Sequence, residues 1–279
     1  MEVVPHGYLK FDEDLDTRAV NRLRLDLRHV THLNVYGLVG MACCVLNAID
    51  TGRQIEIALP ADTSAANFLT RLGFDRFLRT FGGVPCEPPS VTYGMDKSIV
   101  VDVTIFDRAA DLIPLQDLLY SRLEGMAGPQ TRDAIGEALW ELGTNVTTHA
   151  GSRGVVAAAV QGTKRKDRHI DFVVGDAGIG IRESFLRARS RYFPPTDHKA
   201  IELAVQYLVS STDDPGRGQG LHTTVEVATS LNGRVVVRSG NARRTMSRKK
   251  RSYGWENVDE AASVPRLAGT MVAVRIPCA

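Results

Sequence analysis

Residues 131–151 read TRDAIGEALWELGTNVTTHAG, and their spacing starts the argument about the fold. Ile135, Leu139, Leu142 and Val146 recur at helical intervals and form an apolar stripe. Glu137, Glu141, Asn145 and His149 recur every fourth residue on another side. One helix therefore packs with one face and presents a carboxylate, an amide and an imidazole with the other. Taken alone, such a face reads first as a solvated helix surface. Two glycine-rich turns farther along the chain change that reading.

The apolar strand HIDFVV (169–174) runs into GDAGIGI (175–181), in which Asp176, Gly178 and Gly180 alternate. Glycines at that spacing let backbone approach a ligand closely, and an aspartate ending a buried strand is a fixed hydrogen-bond acceptor for an amino group. Further on, GRGQGLHTT (216–224) sets Gly216, Gly218 and Gly220 directly before an amphipathic helix, whose first amides suit phosphate. It lacks the lysine of a P-loop, and no strand directly precedes it as in a dinucleotide fingerprint. The final strand begins with Gly269 and Thr270.

Around these motifs the 279 residues suit two modest domains, and 43% apolar with 24% charged side chains excludes disordered and fibrous classes. Thirty-four Lys and Arg against thirty-two Asp and Glu leave +2, unlike a dedicated nucleic-acid coat protein. The longest apolar stretch, Leu38 to Ile49, falls short of the roughly 20 residues a bilayer needs, and MEVVPHGYLKFDEDLD has no signal-peptide core. A soluble, cytoplasmic protein without a membrane segment is the expectation. Cys43, Cys44, Cys86 and Cys278 show no CxxC spacing, which disfavours structural zinc and a disulfide framework.

Residues 22–80 alternate strand, helix, strand, helix, a small α/β unit. PCEPPSVTYGMDK (85–97) cannot continue a helix and is the expected linker. The chain then divides into residues 1–88, a linker at 89–97, and residues 98–279. The second unit reads as a strand at 99–105, the 131–149 helix, strands at 154–161 and 169–175, and a lid segment at 182–215 carrying Arg182, Arg187, Arg189 and Arg191. A helix at 220–231 and strands at 234–239 and 270–276, enclosing a long loop, complete it. The expected fold is α/β: an N-terminal α/β domain, then an α/β sandwich with helices on one face of a mixed sheet.

In this order, the Glu141/Asn145/His149 helix, the DAGIG turn, the lid, the GRGQGL turn and the terminal GT resemble the GHKL superfamily of Bergerat-fold ATP-binding domains. That family includes gyrase, the Hsp90 chaperone, sensor histidine kinases and the serine kinases that act as anti-sigma factors. The resemblance covers residues 95–279 and implies ATP and Mg2+ as cofactors. It makes Asn145 the magnesium ligand, Glu141 the catalytic carboxylate that polarises an attacking water or hydroxyl, and Asp176 the acceptor for the adenine amino group. Gly178 and Gly180 allow close approach of the nucleotide, Gly218, Gly220 and Leu221 turn amides to the phosphates, and Thr270 supports adenine recognition. His149 is either a group near the phosphates or a cation at a helix C-terminus.

With RLRLDLRHVTHLNVYGLVGMACCVLNAIDTGRQIEIALP (22–60) at its centre, the N-terminal unit resembles, over about residues 15–85, the STAS domain of anti-sigma factor antagonists. Where that family carries Asp-Ser-Ser-Gly, this chain has Asn34, Val35, Tyr36 and Gly37, so a docking module is implied and not a phosphoacceptor. A sensor histidine kinase is disfavoured because this unit stands where a phosphoacceptor helix pair belongs. The implied function is a Mg-ATP-dependent ATPase or protein kinase switching a STAS-type or sigma-factor-like partner, with a homodimer left open. The alternatives are a non-catalytic ATP-gated switch and a nucleic-acid-associated ATPase. For the last, RRTMSRKKR (243–251) supplies six basic residues, and removing those six from +2 leaves −4 elsewhere. That run is expected first as a solvated, mobile loop, with phosphate-backbone or acidic-protein contact as the alternative.

Overall fold

The computed structural model describes residues 2–3, 7–8, 21–83, 98–162, 164, 167–188, 192–206, 220–249 and 254–278. The expected linker, Cys86, Arg189, Arg191, Gly216 and Gly218 lie outside the described residues. The N-terminal unit contains β1 (Glu2–Val3), β2 (Gly7–Tyr8), β3 (Arg22–Asp26), β4 (Val30–His32), α1 (Val35–Asp50), β5 (Gln54–Ala58), α2 (Thr63–Arg71) and α3 (Phe74–Phe77). Strands β1, β3 and β5 form a parallel sheet in that order, and β2 pairs with β4. Gly73, in the left-handed region at φ 73°, separates α2 from α3, as its place in the sequence suggests.

The second unit holds β6 (Ile99–Phe106), α4 (Leu112–Leu123), α5 (Pro129–Asn145), β7 (Gly154–Gln161), β8 (His169–Asp176), α6 (Gly180–Arg187), α7 (Asp197–Ala204) and α8 (Gly220–Ser230). It ends in β9 (Arg234–Gly240), β10 (Ala242–Arg248), β11 (Trp255–Ala261) and β12 (Leu267–Pro277). These strands make a seven-stranded sheet in the order β11-β10-β9-β12-β8-β7-β6. Helix α4 has no counterpart in the sequence reading. Its Pro114 falls within the first turn, where the missing N–H would be unpaired anyway.

The sheet is antiparallel at every described pairing and not mixed. The crossover from β8 through three helices to β9 would make a parallel pair if those strands were neighbours. Strand β12 inserts between them and runs against both. The expected long loop between β9 and β12 is instead two strands. Within the basic run, Arg243 and Arg244 lie on β10 and face an acidic partner strand: Arg243 bonds Asp259 at 2.7 Å and Arg244 bonds Glu260 at 2.8 Å. Arg244 is buried, so the part of the run on β10 is neutralised structure and not a mobile loop.

Both faces of the sheet are covered. Ile170, Phe172 and Val174 pack with α4, α5 and α8, while Val173 faces α1, as strand alternation requires. Asn34 caps α1 by accepting from Gly37 N at 2.7 Å, and twelve of its sixteen residues are buried. A helix apolar on all sides belongs between two layers. Here one layer is the small parallel sheet and the other is the large sheet, so Val39, Cys43, Val155, Ala157 and Met271 share one core. Ion pairs between Asp50 and Arg153 and between Arg76 and Asp102 also join the units. The two units therefore share a core and do not each bury one alone. Among the described residues, no helix is long and apolar enough to cross a membrane.

Candidate functional site

Helix α5 continues past Asn145 into a single π turn, Val146–Ala150, which ends at Gly151 in the left-handed region. Such wide turns inside helices are found often at functional sites. This one brings the helix end against the DAGIG turn. Ile179 N donates to Ala150 O at 3.1 Å, and a Cβ at Gly178 would lie 2.1 Å from that same oxygen. Nearer the helix start, Glu141 abuts the beginning of α8: a Cβ at Gly220 would lie 2.2 Å from Glu141 Oε2. One helix thus touches the DAGIG turn and the start of α8. Burial, then the neighbouring Glu137 carboxylate, pushes the Glu141 carboxyl above the usual range, which makes it a stronger base.

Asp176 ends β8 on the α5 side of the sheet and is only 4% exposed. Its Oδ1 accepts from Gly178 N at 2.8 Å and its Oδ2 from Thr270 N at 3.2 Å. Burial raises its carboxyl to about 7 against the pull of those two amides. Gly269 takes φ 83°, and a side chain there would strike Asp176 O at 2.2 Å, so the GT pair allows β12 to start beside the aspartate. Ser239, ending β9, ties the rest together. Its Oγ accepts from Ile181 N at 2.9 Å, donates to Gly269 O at 3.1 Å and lies 3.2 Å from Thr270 Oγ1.

The fold therefore gathers Asp176, Gly178, Gly180 and Thr270 at the end of the α5 helix and sets Glu141 against Gly220 farther back along it. Ser239 is absent from the sequence reading; its only signal there is a small polar residue before the glycine that ends an apolar strand. Asn145 is exposed, one helical turn beyond Glu141 on the same side, and its amide makes no hydrogen bond among the described residues. His149 is half-buried in the π turn. Leu221 packs at the edge of the helical core, and Gly218 lies outside the described residues. Of the lid arginines, Arg182 donates to Pro194 O at 3.2 Å and Arg187 pairs with Glu183 at 2.9 Å.

Helix α7, within the lid, is held to the sheet by charges: Asp197 accepts from Asn241 N at 3.0 Å, and Glu260 receives both Arg244 and His198. Among the described residues no three His, Cys, Asp or Glu side chains cluster as a metal site. Mg2+ suits a different arrangement, in which one or two protein oxygens complete a shell of phosphate and water. The unbonded carbonyl of the Asn145 amide fits that requirement. Among known proteins, no family model matches this chain and no curated protein matches it.

Proposed function

We propose that residues 98–279 form an ATP-binding domain of the GHKL type and that the chain is a nucleotide-dependent regulator of a protein partner. The observation that carries this reading is the reach of α5. It sets Glu141 against Gly220, at the start of α8, and the buried Ala150 against Gly178, so one helix packs on both the start of α8 and the DAGIG turn. Asp176 would accept from the adenine amino group, with the Gly178 and Thr270 amides fixing its carboxyl. The N-terminal amides of α8 would face the phosphates, where the helix dipole favours negative charge. Asn145 would hold Mg2+, which when bound supplies charge neutralisation for the phosphates. Glu141, with its raised basicity, would take a proton from an attacking water or hydroxyl.

The N-terminal unit would serve as the docking module for a STAS-type or sigma-factor-like partner. Position 35 is a valine and position 36 a tyrosine, so the serine chemistry of that family has no acceptor there.

Calorimetry with ATP and GTP tests the assignment. Wild type should prefer ATP, Asp176→Asn should lose on the order of 1.5–3 kcal/mol of ATP affinity, and Glu141→Ala should keep binding while turnover falls by about 10²–10⁴. Equal affinity for the two nucleotides, or wild-type affinity in Asp176→Asn, rejects the site. Absence of wild-type turnover with the partner present leaves an ATP-gated switch.

A further inference from the structure

On the face of the large sheet away from Glu141 and Asp176, a groove of about 260 Å³ opens beside the first turn of α1. Its floor is an apolar cross-strand row, Val173, Ala273 and Val236, in direct register on β8, β12 and β9. The adjoining row is charged: Asp171, Arg275 and Arg234 lie side by side on the same three strands. Arg243 and Asp259 stand across the groove, and Tyr36 with Asn34 borders it at α1.

Three arginines against two aspartates give the lining a net charge of +1. Asp171 holds Arg275 through two bonds, at 2.6 and 2.9 Å, and Asp259 holds Arg243 at 2.7 Å. Arg234 makes no ion pair among the described residues, is exposed, and sits directly opposite Arg275 in the ladder. Asp171 already supplies a counter-charge to Arg275, whereas Arg234 has none among the described residues, and a guanidinium fork matches the oxygens of a phosphate group. The first turn of α1 carries no acidic side chain to compete. The neighbouring apolar row supplies a surface for an organic body that inorganic phosphate lacks.

We propose that this groove binds a phosphate monoester with a short apolar or aromatic body, its phosphate between Arg234 and Arg275 and its body on Val173, Ala273 and Val236. This site is separate from the proposed nucleotide site and lies on the opposite face of the sheet.

Phenyl phosphate, inorganic phosphate and phenol, titrated into the full chain by calorimetry, test the proposal. Phenyl phosphate should saturate the site at lower concentration than inorganic phosphate, and phenol should not bind. Arg234→Gln should weaken phenyl phosphate at least about tenfold without lowering the unfolding temperature, because its side chain is exposed and makes no ion pair among the described residues. Asp176→Asn should leave this binding unchanged. Tighter binding of a phosphotyrosine peptide than of phenyl phosphate assigns the group to a partner protein, and weaker binding assigns it to a small molecule. No saturable binding, indifference to Arg234→Gln, or loss in Asp176→Asn overturns the proposal.

Discussion

Burial holds the Asp176 carboxyl at about 7, against 3.8 for the same group in water. The folded chain therefore keeps a proton that the unfolded chain has released. The stability contributed by this group is complete below 3.8 and is lost as pH rises through about 7, by a few kcal/mol at most. Asp26 works in the opposite sense. A hydrogen bond from Arg28, the main cause, lowers its carboxyl to about 2 despite burial, so its contribution is present above 3.8 and lost as pH falls toward 2. The two windows do not overlap. Thermal unfolding between pH 4 and 8 should accordingly show wild type losing stability relative to Asp176→Asn as pH rises. Parallel curves would mean that the aspartate is ionised throughout. The position of this residue was readable from a charged side chain closing an apolar strand; its proton affinity was not, because that depends on what Gly178, Gly269 and Thr270 shut out.

At the scale of elements, α5 distinguishes two glycines that look alike in sequence. Gly178 faces a backbone oxygen, Ala150 O at 2.1 Å from a would-be Cβ, which moves only if the end of the helix moves. Gly178→Ala should cost about 1–3 kcal/mol of stability through overpacking, seen as a lowered denaturation midpoint. Gly220 faces the tip of a flexible side chain, Glu141 Oε2 at 2.2 Å. Gly220→Ala should leave the midpoint nearly unchanged and displace the carboxylate, lowering any turnover while ATP still binds. Equal loss of stability in both variants would show that the Glu141 contact is not adaptable. The 3.6-residue period exposed the two faces of this helix in sequence, whereas the π turn that aims its end at Gly178 has no periodic signature.

At the scale of the whole molecule, α1 is the element on which both units depend. Its Val39 and Cys43 lie against Gly175, one residue before Asp176, so the N-terminal unit backs the strand that carries the aspartate. A chain beginning at Thr92 would expose Val103, Val155, Ala157, Val173 and Met271, all buried in the shared core. Roughly 25 cal/mol per Å² of exposed apolar surface disfavours that state. Such a chain should aggregate or bind a hydrophobic dye and lose cooperative unfolding. A monodisperse, cooperatively unfolding product would show that the sheet tolerates an open face.

By itself the sequence determined most element positions and the ordered set of polar and glycine positions from Glu141 to Thr270. These come from local periodicity and turn chemistry, which act over a few residues. Tertiary structure alone decided that β12 lies between β8 and β9, that part of the 243–251 run is neutralised by β11, and that α1 seals the second face. Each of these joins residues far apart in the chain, where buried area and charge pairing select the partner and no local pattern records the choice.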